Sequence, residues 1–399
     1  MFSSLKVKNF RVYWFGMLIS LVGTWIQVTA QSWLVFQLTN SVFLLGLVAF
    51  LGSAPIFLLS LFGGVVADRV DKKKILLCTQ CAFMLLAFAL AILTQFKLIT
   101  PLQIMAIAVL NGVVMSFDAP SRQSVVVELV GKDNLLNAIA LSSAAFNSSR
   151  MIGPALAGIF IATIGMSGCF YLNAISFLAP IIALLMIKIN AGSAKRENKG
   201  VLVHDLMEGL RFISSHRIML ILVLMVGITS FFGVSYATFM PVFANDILKV
   251  GAKGLGMLMS VTGVGALIAA LGLARLGDFK HKGRLLILSA MVFSVSLVLF
   301  ASSRSYLLSL AALMLLGWAS ITAISLINTV LQQLVPDEFR GRLMSVYMFT
   351  FAGFMPFGNL LAGALAYSWG VPLTVMLSGI ICTAFFVAIT IFYPEIKNI

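Results

Sequence analysis

Gly63-Gly64-Val65-Val66-Ala67-Asp68-Arg69-Val70-Asp71-Lys72-Lys73-Lys74 closes one apolar run of this chain. Leu273-Ala274-Arg275-Leu276-Gly277-Asp278-Phe279-Lys280-His281-Lys282-Gly283-Arg284 closes another, about 210 positions later. Both stretches set a small residue, an aspartate and a string of cations in a short break between long apolar segments. Self-similarity at the same rank among such segments marks an internal duplication. Leu129-Val130-Gly131-Lys132-Asp133-Asn134-Leu135 matches Leu334-Val335-Pro336-Asp337-Glu338-Phe339-Arg340 in the same way. So does Gly153-Pro154-Ala155-Leu156-Ala157-Gly158 with Gly358-Asn359-Leu360-Leu361-Ala362-Gly363, both at an offset of about 205.

Hydrophobic residues make up 61% of the 399 and charged residues only 10%, with a mean hydropathy of +1.07. Soluble domains carry roughly 25% charged residues, so this chain cannot cover a water-facing surface. Apolar runs long enough for a ~30 Å hydrocarbon core recur throughout, about twelve in all. The expectation is an all-α membrane protein of twelve transmembrane helices in two pseudo-symmetric six-helix bundles, residues 1–190 and 217–399. A cytoplasmic linker, 191–216, joins them. Its second part is amphipathic, with Val203, Leu206, Met207, Leu210 and Ile213 on one face, and reads as a helix lying on the membrane surface. Duplicated bundles in lipid are the architecture of secondary transporters.

The net charge of +14 has a topological destination rather than a nucleic-acid one. With the N-terminus inside, about 22 Lys and Arg fall on the cytoplasmic side and 4 outside, which places both termini in the cytoplasm. The first apolar run is too long for a signal peptide and lacks a small-residue cleavage pattern. Cys78-x-x-Cys81 sits inside an apolar helix without a redox-domain context, so the thiols read as packing.

Cations holding a loop inside account for Lys72, Lys73 and Lys74, but not for an aspartate repeated as Asp68 and Asp278. A carboxylate there can face the free N–H groups at the N-terminus of a neighbouring helix. The expected latch joins Gly64, Asp68 and Arg69 to the helix starting near Gly341, beside Arg340 and Arg342. Asp278 would act likewise toward the helix starting near Asn137.

On these residues the chain resembles the major facilitator superfamily. Gly64 to Lys74 is similar to its signature loop, and Gly153-Pro154-Ala155-Leu156-Ala157-Gly158 to the motif of its antiporter branch. Phe117-Asp118-Ala119-Pro120-Ser121-Arg122-Gln123 and Val335-Pro336-Asp337-Glu338-Phe339-Arg340-Gly341-Arg342 resemble the bacterial drug-efflux and enterobactin-exporter-like branch. The resemblance implies a central cavity, export driven by a proton gradient, and a monomer in the bacterial cytoplasmic membrane. It also implies that spans one, four, seven and ten line the cavity, and that the bend at Gly153, Pro154 and Gly158 seals it.

Polar stripes fall on those four spans. Ser20, Thr24, Gln27 and Gln31 share a helix face in the first, and Asn111, Asp118 and Arg122 in the fourth. Thr229 and Tyr236 do so in the seventh, and Thr322, Ser325, Thr329 and Gln332 in the tenth. They read as cavity lining, with interhelical hydrogen bonding as the alternative. Arg150 lies in mid-span. It either attracts an anionic or catechol-like substrate, tunes a coupling carboxylate, forms a structural ion pair, or reaches water at the helix end. The first span carries no embedded acid, so Asp118 is the candidate for proton coupling, or else a cap for Arg69 or Arg122.

These residues point to an exporter of small amphipathic molecules, drug- or siderophore-like, with an importer or symporter of the same fold as alternative. An intramembrane enzyme needs clustered His, Asp, Glu or Cys. Here His204, His216 and His281 all lie on cytoplasmic segments, so no metal or cofactor is expected. A channel or non-transporting sensor fits the repeat less well.

Overall fold

In hydrocarbon every backbone N–H and C=O must be satisfied within the protein, and a helix does so within one segment. The computed structural model describes residues 3–131, 133–187, 202–277, 279–336 and 338–398. For Leu61, Asp68, 202–206 and Asn398 it gives the backbone only. The 191–201 part of the linker, Lys132 and Asp278 therefore lie outside the described residues, as does the side chain of Asp68.

Twelve helical spans follow one another. The first five are α1 (Lys8–Thr39), α2 (Val42–Arg69), α3 (Lys72–Gln95), α4 (Pro101–Val130) and α5 (Leu135–Thr163). The sixth is split at Phe177 into α6 (Gly165–Ser176) and α7 (Leu178–Met186). After the short helix α8 (Leu202–Ser215), the seventh begins as α9 (Arg217–Ile228). It then breaks into π and 3₁₀ turns around α10 (Met240–Val242). The rest are α11 (Gly251–Leu276), α12 (Lys282–Ser302), α13 (Tyr306–Leu334), α14 (Arg340–Trp369) and α15 (Val371–Phe392). Twelve spans return the chain to the membrane side on which it began, called the terminus side below. Eleven are apolar enough to cross a bilayer by composition alone. The exception, α5, carries Asn137, Ser142, Ser143, Asn147, Ser148, Ser149 and Arg150 among its 29 residues.

Local signals set the helix ends. Asp71 caps α3 by accepting the Lys73 N–H. Thr100 and Gln103 form a capping box at α4, with Pro101 in its first turn. Gly370, at φ 81°, turns α14 into α15.

Two compact units result. One comprises residues 1–40, 51–198 and 251–260, the other 41–50, 199–250 and 261–399. Each takes one short segment from the far side of the sequence boundary: the start of α11 in the first unit, the start of α2 in the second. Glycine is the reason in both. Gly256 lies against the Pro154 carbonyl and the Gly158 backbone, and Gly46 against the Asn359 carbonyl and the Gly363 backbone. The two contacts occupy positions related by the repeat.

In the first unit α1 is the central helix. Gly16 packs on Ala179 and Ala183, Gly23 on Asn173 and Ser176, and Gly153 of α5 on the Trp25 Cβ. Phe10, Tyr13, Leu76, Val125 and Leu184 form the core of its terminus side. In the second unit Leu222, Leu286, Leu331, Val346 and Phe386 form the corresponding core.

Helix α8 packs on α14 through part of its surface. Gly209 rests on the Arg342 backbone, Phe212 stacks on Phe339 at 4.4 Å, and Ile213 is buried. Met207 and Leu210 remain exposed. Docking on α14 splits the apolar stripe, because residues 209 and 213 share one face and residues 207 and 210 another.

Gly265 and Gly317 let α11 and α13 touch backbone to backbone: a methyl at Gly317 would collide with the Thr262 carbonyl. Gly317→Ala gains about 1 kcal/mol of helix propensity but incurs overpacking of about 1–3 kcal/mol. Thermal unfolding of the detergent-solubilised variant is expected at a lower midpoint than wild type. An equal or higher midpoint would refute this close packing.

Candidate functional site

The residues expected to line a cavity separate into three groups. Asp118 belongs to none of the open ones. It is fully buried. Its Oδ1 accepts from Thr79 Oγ1 at 2.8 Å and Gln80 Nε2 at 2.7 Å. Its Oδ2 accepts from Arg122 Nε at 3.1 Å and pairs with Arg122 Nη2. Four donors on two oxygens use all the acceptor sites a carboxylate offers. The arrangement ties α3 to α4. Of the two caps considered, Arg122 is the one formed. Buried beside it, Tyr13 Oη, Gln80 Oε1 and Ser121 Oγ have no hydrogen-bond partner among the described residues. Nearer the end of the same helices Lys72 pairs with Glu128, and Lys73 Nζ donates to the Ile187 carbonyl at 2.8 Å.

Gln27 is closed off as well. It is only 8% exposed and accepts from Asn173 Nδ2 of α6 at 2.7 Å, so it serves as interhelical glue. Tyr236 is a correction of another kind. The π turn at 229–233 and the 3₁₀ turn at 235–239 break the helical period. Tyr236 therefore no longer shares a face with Thr229. It is buried, edge-on to Phe300 of α12 at 6.4 Å.

Thr24, Gln31, Asn111, Thr229 and Ser325 are half-buried. Thr24 and Asn111 donate back to the Ser20 and Ile107 carbonyls of their own helices. On α13, Thr329 donates to the Ser325 carbonyl and Gln332 Nε2 to Asn328 Oδ1 at 2.6 Å; both Thr329 and Gln332 are exposed. In the second unit a mostly apolar cleft of about 230 Å³ opens between the irregular seventh span, α14 and α15. Phe231, Phe232, Ala362 and Trp369 are among its lining residues.

Arg150 stands half-buried in the middle of α5. Among the described residues it has no carboxylate partner, so the ion-pair reading finds no support. Its guanidinium lies over the Trp25 ring, 6.0 Å from the centroid. Trp25 in turn meets Phe146 edge-on at 5.8 Å. An unpaired cation at mid-span costs at least ~2.5–3.5 kcal/mol, and a cation–π contact returns about 0.5–2 kcal/mol.

The latch residues are partly visible. Nothing lies near a Cβ built on Gly64, and Arg69 and Arg340 are exposed. Arg342 Nη1 is 2.9 Å from Glu208 Oε2 of α8, a partner the sequence pattern did not point to. Other polar partners missed were Thr79, Gln80, Asn173 and Asn359, whose Oδ1 accepts from Thr238 at 3.3 Å. Their signal is an amide or hydroxyl in the middle of an apolar run, which must find a partner inside the protein.

A family model described as transmembrane secretion effector matches residues 1–398. The staphyloferrin A transporter of Staphylococcus aureus (strain NCTC 8325 / PS 47) is 26% identical over 361 residues, 90% of each chain. The multidrug efflux pump Tap of Mycolicibacterium fortuitum is 24% identical over 369 residues, again 90% of each. The enterobactin exporter EntS of Shigella boydii serotype 4 (strain Sb227) is 25% identical over 342 residues, 85% of this chain and 80% of that one. Among solved structures, a bacterial homologue of the human lysosomal transporter Spinster superposes with a TM-score of 0.74 at 12% identity, covering 98% of both chains.

Asp118→Ala strips the buried Arg122 of its counter-charge. Breaking such a pair costs about 3–5 kcal/mol, and the low end applies because Arg122 keeps a quarter of its side chain exposed. A clearly lowered unfolding midpoint is expected for the purified variant, with a smaller loss for Asp118→Asn, which keeps one acceptor oxygen for Thr79 and Gln80. Equal midpoints for wild type and Asp118→Ala would contradict the structural role.

Proposed function

The chain belongs to the transmembrane secretion effector family of the major facilitator superfamily, and on that premise we propose that it exports small amphipathic molecules, drug- or siderophore-like, by proton-coupled antiport. It is a multi-pass membrane transporter and not an enzyme. The observation that carries the export mechanism is the pair of repeat-related glycine contacts. Pro154 and Asn359 each present a carbonyl to a glycine, Gly256 and Gly46, in the half of the spans away from the terminus side. Close backbone packing of this kind suits a seal that must close fully in one phase of the cycle. The names of the relatives support a siderophore or drug as cargo.

The distribution of cations supports a cytoplasmic terminus side. There Asp68, Arg69, Asp278, Arg340 and Arg342 form the latch of the opposite phase of the cycle. Glu208 would have to yield Arg342 for that phase to form. Asp118 is the coupling carboxylate in this reading: taking up a proton would release Arg122 and loosen α3 from α4. Thr24, Gln31, Asn111, Thr229, Ser325, Thr329 and Gln332 supply polar contacts along the substrate path. The protein acts as a monomer.

Drug and siderophore accumulation in cells deleted for their own pumps tests the reading. Expression should lower accumulation of at least one compound, and a protonophore should restore it. Accumulation unaffected for every compound removes export from consideration; a decrease indifferent to the protonophore removes the proton. In the same assay Asp68→Asn should abolish most of the effect at unchanged membrane abundance, and full activity of that variant would eliminate the latch.

A further inference from the structure

Within the first unit Arg150 marks a boundary. On one side of it α5 is sealed. Ser260 Oγ donates to the Met151 carbonyl at 2.6 Å, and Gly256 closes on Pro154 and Gly158. Toward the terminus side of it, Ser143 and Phe146 are exposed. The guanidinium is thus the last charged group before a backbone-packed wall. It has Trp25 beneath it, and Phe146, 47% exposed, stands one turn away toward the terminus side. Nothing among the described residues neutralises it. Arg122, by contrast, is held by the Asp118 carboxylate. Arg150 has only aromatic rings, which attract a cation but do not cancel its charge.

The geometry points to an anion-binding subsite formed by Arg150, Trp25 and Phe146, whose ligand is an amphiphile carrying a carboxylate on a flat apolar body. This rests on the exporter reading above and narrows its substrate class. The planar guanidinium offers two parallel N–H groups to one carboxylate, a fit that neither a hydroxyl nor an ammonium reproduces. Trp25 and Phe146 receive the apolar body in offset or edge contact. An ammonium-bearing analogue meets like charge in a desolvated place and is rejected. Because Arg150 lies directly beside the Met151 and Pro154 contacts, a bound anion stands against the wall that must open to let it out.

Three probes with one body separate the possibilities: 1-pyrenebutyrate, 1-pyrenebutanol and 1-pyrenebutylamine. Their binding to the purified full-length protein in lipid nanodiscs is read by fluorescence anisotropy. The anion should bind wild type at least about tenfold more tightly than the alcohol, and the amine more weakly than either. Arg150→Gln should bring the anion to the level of the alcohol while moving the alcohol less than about twofold. Trp25→Leu should weaken both. If Arg150→Gln is not monodisperse, Arg150→Lys decides: a preference reduced by about threefold or more supports the fork, and an unchanged one overturns it. Wild type that binds no pyrenebutyrate, or shows no preference for it, overturns the subsite, as does a preference surviving Arg150→Gln. Export in cells with no anion preference in vitro defeats the subsite alone, whereas anion binding without any effect on accumulation defeats the exporter reading alone.

Discussion

Close backbone contact through glycine is the interaction on which this structure rests. In lipid an apolar side chain gains nothing by turning inward, so helices associate through van der Waals contact and polar bonds, and both need proximity. Gly16, Gly23 and Gly153 bring α7, α6 and α5 to α1 at three levels of the first unit. Gly265 and Gly317 do the same for α11 and α13 in the second.

Proximity then makes polar bonding possible, and the two effects are linked helix by helix. Gly23 seats α1 on Asn173 and Ser176, and one turn further on Gln27 reaches Asn173. At the terminus side the Asp118 cluster binds α3 to α4, and Tyr13 of α1 lies buried near it. A buried pair of this kind adds little net stability but penalises any arrangement that separates its partners. Unit 1 is therefore pinned by polar bonds at its terminus side, and at the other by glycine contacts together with the Ser260–Met151 hydrogen bond.

The fold could be read from the sequence because its determinants are long and repeated: apolar runs, paired loop motifs and cation placement. What could not be read was which neighbour each polar residue meets. Thr24, Gln27 and Gln31 look equivalent in a stripe, yet a glycine four residues before Gln27 brings α6 within its reach and leaves the others half-open. Tyr236 was misplaced because periodicity assumes a regular helix, and the seventh span is not regular beyond Ile228. The stripe on α8 did not show which of its residues meet α14. Gly209 counts as neither polar nor apolar in a pattern, but it decides which side docks. Arg150, by contrast, stood out because charge in mid-span needs no neighbour to be noticed.

The duplication provides an internal control for that arginine. At the spacing that relates the two GxxxxG stretches, Pro154 corresponds to Asn359 and Arg150 to Met355. Pro154 and Asn359 differ in side chain but do the same thing with their carbonyls, each receiving a glycine. Packing has been kept through the backbone while the side chains diverged. Arg150 and Met355 differ in the opposite sense, because no backbone role requires a cation in one copy and a thioether in the other. Charged groups in general are not repeated: the Asp118–Arg122 pair of the first unit has Ala323 and Ile327 at the matching positions. The difference between Arg150 and Met355 accords with the proposed anion subsite, and it falls on the one described span too polar to count as a membrane helix by hydropathy alone.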